Sequence, residues 1–156
     1  MAGTVDARLK ELGIVLPDAP APAANYVPFT LEGGILYVSG QVPFRDGRIA
    51  YSGKVGIDLP VEEGQAAART CAINVLAQAR AACGGDLDRV KRVLKLGGFV
   101  NAGPDFADHP KVINGASDLM VEVFGDAGRH ARFAVGAGSL PLNCAVEVEA
   151  IFALRD

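Results

Sequence analysis

Residues 145–154 read AVEVEAIFAL, in which apolar residues alternate first with two glutamates and then with other apolar residues. Side chains two residues apart in an extended strand point the same way, so Val146 and Val148 share one face and Glu147 and Glu149 share the other. The pattern predicts a closing strand that buries one face in the core.

Two long helices are predicted upstream of this strand by apolar side chains at helical spacing. The first spans about 61–83 and ends at the Gly84-Gly85 doublet. The second extends to about Phe124, with Asp108 as predicted N-cap and Pro110 at an early helical position. Further strands are predicted at 26–31, 35–39, 90–96 and 131–135, with a weaker one at 48–51. Gly33-Gly34 predicts a hairpin, and Gly97-Gly98 predicts a break before Phe99-Val100.

This element order is typical of an α+β domain, in which a mixed sheet carries both long helices on one face. No helix remains to cover the other face. Half of the residues are hydrophobic, and a large apolar surface is rarely left in water. The element count therefore predicts an oligomer without giving its symmetry.

The N-terminal segment is predicted as a short amphipathic helix from Thr4, as N-cap, to Gly13. Residues 16–24 are rich in Pro and Ala and are interpreted as an extended connector. The predicted organisation is a helix and connector over residues 1–23, followed by one domain over residues 24–156.

The charges are scattered and sum to −3 at pH 7. Binding to nucleic acid is disfavoured, because cations are needed to neutralise phosphates. The basic cluster of Lys91, Arg92 and Lys95 is interleaved with apolar residues, which is typical of a solvated face. No apolar run has the length of a membrane span.

Cysteine usage favours a cytoplasmic protein. Cys71, Cys83 and Cys144 form no CxxC motif, and only two histidines are present, so no metal site is predicted. The odd cysteine count and the lack of a signal peptide indicate reduced thiols. GxSxG, Walker A and HExxH motifs are missing, and no cofactor is predicted.

Three features are candidates for chemistry, and the first two have two interpretations each. Arg132 is a lone charge in an apolar strand. One interpretation is a side chain at the strand edge that points into water, and the other is a guanidinium that binds a carboxylate or phosphate with two parallel hydrogen bonds. Glu147 and Glu149 form a solvated strand face, or one of them lies in a cleft, has a raised pKa, and moves protons or orders water. Ser39, before Gly40-Gln41, is compatible with a simple turn.

The motifs around these residues resemble those of the RidA/YjgF family, also labelled the endoribonuclease L-PSP family. Tyr26-Val27 followed by 38-VSGQVP-43 is similar to the family's opening, in which a tyrosine precedes an S-G-Q-hydrophobic-P motif. Asn114 falls where the family usually carries asparagine. Ala131-Arg132, Leu140-Pro141 and 146-VEVEAI-151 resemble the closing A-R-S, L-P and [IV]-E-[IV]-E-A-I signature. The resemblance covers about residues 24–154.

The resemblance implies a chorismate-mutase-like fold assembled as a homotrimeric barrel, with ligand clefts between neighbouring subunits. It implies hydrolysis of 2-iminoacids and their enamine tautomers to 2-ketoacids and ammonia, without a metal or organic cofactor. Arg132 would bind the substrate carboxylate, and Glu147 would position the attacking water. Tyr26, Ser39 and Asn114 would line the same cleft.

Phe133-Ala134 departs from the family pattern, in which a cysteine commonly follows two residues after the arginine. Together with the N-terminal extension and the extra length between Val93 and Phe106, it indicates a longer branch of the family and leaves the imine unidentified. Two alternatives stay open. One is a non-catalytic small-ligand or regulatory protein that uses the same cleft. The other is an endoribonuclease, which the negative charge disfavours.

Overall fold

The computed structural model describes residues 3–20 and 24–156. It confirms an α+β architecture with one mixed sheet and two long helices. The helices and strands follow in this order: α1 (Thr4–Glu11), β1 (Phe29–Glu32), β2 (Ile35–Gln41), β3 (Phe44–Arg45), β4 (Arg48–Ile49), α2 (Val61–Ala82), β5 (Val90–Asn101), α3 (His109–Phe124), β6 (Ala131–Ala137) and β7 (Val146–Leu154).

The five-stranded sheet has the order β1-β2-β7-β5-β6, and β3 and β4 pair as a separate small hairpin. All neighbours in the large sheet are antiparallel except β5 and β6. Helix α3 connects this parallel pair, because parallel strands need a crossover. The last strand of the chain thus occupies the middle of the sheet, between β2 and β5.

The alternation predicted for β7 is confirmed. Val146 and Val148 are fully buried, whereas Glu147 is half-buried and Glu149 is exposed. The buried face of the sheet packs against α2 and α3. The opposite face, called the open face below, carries no helix formed by residues 3–20 or 24–156.

Small residues let the two long helices lie close together and close to the sheet. Ala67, Ala68 and Ala72 on α2 are fully buried. At Gly115 of α3, a Cβ atom would lie 2.1 Å from the carbonyl oxygen of Gln65, so only glycine fits at this helix crossing. The Ala-rich first helix of the sequence is therefore explained by close packing rather than by helix propensity alone.

The N-terminal helix begins differently from the prediction. Thr4 is its first residue and not its N-cap, because a distant carboxylate takes the capping role. The Oδ2 and Oδ1 atoms of Asp88 accept the backbone N–H groups of Thr4 and Val5 at 2.8 and 2.9 Å. Leu9 enters the core, and Gly13 ends the segment with a φ of 70°, as predicted.

The division between residues 1–23 and 24–156 stays a prediction. The connector predicted over residues 16–24 lies partly outside the described residues, which omit 21–23.

Strand boundaries correct the sequence prediction in three places. Strand β1 begins at Phe29 rather than Tyr26, because Pro28 has no N–H to give to a ladder. Strand β3 is an additional element, paired with β4. Strand β5 is continuous through Gly97 and Gly98, where a break was expected.

The glycine doublet in β5 makes room for side chains of neighbouring elements. A Cβ atom at Gly97 would lie 2.5 Å from the Phe133 ring, and one at Gly98 would lie 2.6 to 2.8 Å from three atoms of the Ile113 side chain. Glycine therefore serves close packing on both faces of β5, without interrupting the strand.

We expect Gly98→Ala to lower the free energy of unfolding by about 1–3 kcal/mol, the usual cost of overpacking a buried site. Ile113 surrounds the position with three atoms and is itself buried, so a change of rotamer does not clear the space. Urea titration of both proteins measures the difference. Gly138→Ala is the control, since its Cβ atom meets nothing within 4 Å. Equal stabilities of the two variants would contradict this packing role.

Candidate functional site

Glu147 lies on the open face in the middle of the sheet. It pairs in register with Phe99 of β5, and its carboxylate leans over the backbone of β2. A Cβ atom at Gly40 would lie 2.6 Å from Oε1 of Glu147, so the glycine of the Ser39-Gly40-Gln41 motif gives the carboxylate its space.

The electrostatic environment distinguishes Glu147 from its neighbour. Burial raises the pKa of the Glu147 carboxyl, and the carboxylate of Glu149 on the same strand face raises that pKa further. Both effects disfavour the charged form. A raised pKa is the property expected from the sequence for a glutamate that lies in a cleft and moves protons.

Ser39 ties the segment that contains Tyr26 to β2. Its Oγ donates to the carbonyl of Val27 at 2.8 Å, and its N–H donates to the carbonyl of Pro28 at 2.9 Å. Tyr26 adjoins Val27 and is half-exposed. The motif therefore does more than make a turn: it binds the segment that follows Tyr26 to the end of β2 at which Gly40 leaves room for Glu147.

Arg132 lies on the other side of the sheet. It pairs in register with the buried Leu96 of β5 and is half-buried against α3. Nη1 donates to the Oγ of Ser117 at 3.0 Å, and Nη2 donates to the carbonyl of Pro110 at 3.2 Å. Asn114 is exposed on the same face of α3, between these two residues.

Neither the Arg132 guanidinium nor the Glu147 carboxylate forms an ion pair within residues 3–20 or 24–156. The ion pairs found there involve other side chains, and Arg132 keeps three of its five N–H groups after its two hydrogen bonds. An arginine with unused donors and without a carboxylate is suited to receive an external anion.

The chain does not bring all the predicted site residues together. Paired residues in a sheet point to the same face, so Arg132 follows Leu96 toward the helices, and Glu147 follows Phe99 toward the open face. Arg132 and Asn114 form one group at the sheet edge. Tyr26, Ser39 and Glu147 belong to β2, β7 and the segment bound to them. The sheet separates the two groups.

A cleft of about 470 Å³ opens at the carboxyl ends of β5 and β6, and no sequence motif predicts it. Lys54, Phe106 and His109 line it. The Nζ of Lys54 donates to Oδ1 of Asn101 at 3.0 Å and to the carbonyl of Gly138. Lys54 belongs to no recognisable motif, so only the folded chain shows this arrangement.

Two further groups around Arg132 were also missed. Ser117 contacts its guanidinium, and His130 contacts Ser117 at 2.8 Å. The position of His130, two residues before Arg132 and immediately before β6, was the only signal available. Over the described ranges, His, Cys, Asp and Glu side chains form no group of three or more that could hold a metal ion.

No helix within residues 3–20 or 24–156 combines the length and apolar character needed to cross a membrane. All three cysteines are free and buried. Burial raises the pKa of the Cys144 thiol to about 12 and also raises the pKa of Cys71, which favours the protonated thiol at both positions.

Comparison with known proteins identifies the family of this fold. A family model described as "YjgF/chorismate_mutase-like, putative endoribonuclease" matches residues 6–154. The chain belongs to the YjgF/chorismate-mutase-like family. The family resemblance expected from the Ser-Gly-Gln motif and the closing strand is therefore confirmed, and with it the chorismate-mutase-like α+β fold.

Several members of the family are closely similar over nearly the whole chain. Protein TCP17 of Trypanosoma cruzi is 53% identical over 99% of this chain and 97% of its own length. The protein Atu1372 of Agrobacterium tumefaciens is 53% identical, with a TM-score of 0.91 over 97% of this chain and 92% of its own. A structure from Shewanella oneidensis, described as "a putative endoribonuclease", is 39% identical, with a TM-score of 0.94 over 97% of this chain and 100% of its own.

The TdcF protein of E. coli, solved with bound serine, is a more distant relative. It is 25% identical, with a TM-score of 0.62 over 88% of this chain and 94% of its own.

We expect the carboxyl of Glu147 to titrate above the usual glutamate range, and Glu149→Gln to lower its pKa. The substitution removes the neighbouring negative charge but leaves the larger contribution, burial, in place. Carbon-13 NMR of labelled glutamate carboxyls measures both values, with Glu147→Gln used for assignment. Glu63→Gln, on the exposed first turn of α2, is the control and should leave the pKa of Glu147 unchanged. An unchanged or higher pKa in Glu149→Gln would contradict the coupling.

Proposed function

We propose that this chain is a homotrimeric 2-iminoacid and enamine hydrolase whose site is shared between subunits. Arg132 and Asn114 come from one subunit, and Tyr26, Ser39 and Glu147 come from its neighbour. The observation that carries the proposal is the separation of an unpaired guanidinium and an unpaired, partly buried carboxylate onto opposite faces of one sheet. A site that needs both groups therefore needs two chains.

The open face supports assembly of this kind. Tyr37 and Val135 are exposed there, next to the partly buried Phe99, Phe133 and Ile151. Aromatic and branched apolar side chains on one sheet face favour contact with another subunit. The homotrimer is the arrangement implied by the family resemblance, and contact across this face would bring the edge strand β6 of one chain toward β2 and β7 of the next.

The proposed reaction needs little from the protein beyond orientation. Arg132 binds the substrate carboxylate and thereby places the imine carbon. A water held by Glu147 attacks that carbon, the new C–O bond forms, and the water proton passes to the Glu147 carboxylate. The electron pair of the C=N bond moves to the nitrogen, which receives the proton back from Glu147 and so gives a neutral carbinolamine. The carbinolamine hydroxyl then loses its proton through the Glu147 carboxylate to the nitrogen, the C=O bond forms as the C–N bond breaks, and the nitrogen leaves as ammonia. The products are a 2-ketoacid and ammonia, so one water is consumed.

Each group has a property suited to its proposed step. The raised pKa of Glu147 makes it a stronger base than an exposed glutamate, since efficient bases have pKa values nearer the working pH. The fork of Arg132 matches a carboxylate, and TdcF of E. coli, a relative, binds serine, which carries one. We place the activity in the cytoplasm, an assignment that the free cysteines support.

We expect the wild-type protein to release ammonia and 2-ketoacid when an amino-acid oxidase generates iminoacids in the assay. Glu147→Gln keeps the shape but loses the proton acceptor, and turnover should fall by about 10²- to 10⁴-fold. Glu149→Gln, on the same strand face but exposed, is the matched control and should have a milder effect.

A parallel incubation with RNA separates the remaining functions. RNA cleavage that Glu147→Gln abolishes, without iminoacid hydrolysis by the wild type, would favour the endoribonuclease. Binding of a 2-ketoacid without turnover of any iminoacid would favour a ligand-binding protein. Equal, small losses of turnover in Glu147→Gln and Glu149→Gln would show that the two carboxylates form only a solvated face.

We expect Arg132→Ala and Glu147→Gln chains, each nearly inactive alone, to recover activity when co-expressed with two different tags and purified as mixed trimers. A shared site is intact where a Glu147→Gln chain supplies its native Arg132 and the neighbouring Arg132→Ala chain supplies its native Glu147. Every mixed trimer contains two chains of one variant and one of the other, so this arrangement occurs at one of its three interfaces. Recovery of about a third of wild-type activity is therefore the expected result. No recovery would place both residues in one subunit.

A further inference from the structure

The guanidinium of Arg132 belongs to a chain of hydrogen bonds that ends on the backbone. Nη1 of Arg132 lies 3.0 Å from the Oγ of Ser117, which lies 2.8 Å from Nε2 of His130. The other ring nitrogen, Nδ1, lies 2.6 Å from the carbonyl oxygen of Gly128. The chain joins β6, α3 and the turn that precedes β6.

The chemistry of the partners gives each bond its direction. A backbone carbonyl only accepts, so Nδ1 of His130 carries a hydrogen and donates to Gly128. In the neutral ring Nε2 is then an acceptor, and the hydroxyl of Ser117 donates to it. A guanidinium only donates, so the Ser117 oxygen accepts from Arg132. Every bond in the chain is compatible with the next.

The far end of this chain is rigid. Gly128 is buried, and a Cβ atom there would lie 2.1 Å from the carbonyl oxygen of Met120, so its backbone rests directly on α3. His130 is thereby held by an atom that has little freedom to move. The carbonyl of Pro110, on the first turn of α3, fixes the guanidinium at its second nitrogen.

The hydroxyl of Ser117 is diverted from its usual partner. A serine inside a helix commonly donates to the carbonyl four residues earlier, and Thr70 of α2 does so with Ala66 at 3.0 Å. Ser117 lies within α3 but is directed toward His130 and Arg132 instead. The Ser117 hydroxyl therefore connects α3 to His130 and Arg132, and within the described residues it forms no hydrogen bond with the carbonyl of its own preceding turn.

We propose that Ser117 and His130 are positioning residues that orient the Arg132 guanidinium, so that its remaining N–H groups face the incoming carboxylate. This inference rests on the proposed function of Arg132 as the carboxylate receptor. His130 turns the hydroxyl hydrogen of Ser117 away from Arg132, and the oxygen lone pair is left to accept from Nη1. Without this chain the long arginine side chain samples other rotamers, and the oriented fork is lost.

The test measures binding and turnover separately. Pyruvate, a 2-ketoacid, is titrated into the protein by calorimetry, and KM and kcat are measured with oxidase-generated iminoacid. We expect Ser117→Ala to raise both the Kd of pyruvate and KM by about tenfold, the scale of a lost hydrogen bond to a charged group. The value of kcat should change far less, because Arg132 holds the carboxylate in substrate and transition state alike.

Conservative variants separate positioning from a structural role. Ser117→Thr keeps the hydroxyl and should retain binding. His130→Gln can present an amide oxygen near the place of Nε2 and should bind better than His130→Leu. Thr70→Val, which removes a helix-internal hydroxyl far from β6, is the matched control and should leave Kd and KM unchanged. Thermal melting of every variant reports the cost to the fold.

Each outcome decides a different statement. Unchanged Kd and KM in Ser117→Ala, with wild-type protein active, would overturn the positioning role and leave the proposed function intact. A fall in kcat at constant KM would indicate a structural role and would also overturn it. Wild-type protein that neither binds pyruvate nor hydrolyses iminoacids would remove the proposed function and this inference together. If Ser117→Ala fails to fold, the comparison of His130→Gln with His130→Leu decides the question.

Discussion

Strand geometry places Arg132 and Glu147 on opposite faces of one sheet, and no rotation of their side chains within a single chain brings them together. Strand β5 lies between the two and connects them by register, with Leu96 beside Arg132 and Phe99 beside Glu147. Leu96 and Phe99 are three residues apart, an odd separation, so their side chains point in opposite directions. The proposed sharing of the site between subunits depends on this one register, because a slip of one residue would reverse a whole face.

Glycine residues make room for the side chains around Glu147, whereas strand register sets the face on which each side chain lies. The Glu147 carboxylate leans on Gly40, and Gly97 admits both the Phe133 ring and the Glu149 side chain. These positions have no positive φ, so they are glycine for reasons of close approach and not of backbone conformation. The partial burial that raises the pKa of Glu147 follows from the same close approach, because β2 lies near enough to exclude water from one side of the carboxylate.

The sequence predicts those parts of the molecule in which one period governs the pattern. The apolar stripes of α2 and α3 and the alternation of β7 each correspond to one buried face, and all three elements are found as expected. The Ser-Gly-Gln motif and the closing signature indicated the family. Strand β5 was divided incorrectly, because a glycine that admits a neighbour's side chain and a glycine that ends a strand look alike in a sequence.

The orientation of Arg132 lay beyond prediction for a related reason. Its strand, ARFAVGA, is apolar at almost every position, so no alternation shows which face the single charge takes. The partners of Arg132 are also distant in the chain, since Pro110 and Ser117 lie 22 and 15 residues away on a helix. Asp88 replaced Thr4 as the cap of α1 through a contact across 84 residues. Pairings of this kind depend on the tertiary fold, which a local pattern does not contain.

The shared site proposed here also makes the basicity of Glu147 depend on the substrate. Contact with a second subunit removes water and raises the pKa of Glu147, whereas the approaching guanidinium of Arg132 lowers it. A substrate carboxylate bound to Arg132 would neutralise the guanidinium and so cancel its lowering of the Glu147 pKa, while the burial that raises this pKa would remain. On this geometry Glu147 is a weaker base in the empty site and becomes a stronger one when an iminoacid is bound and a water has to be deprotonated.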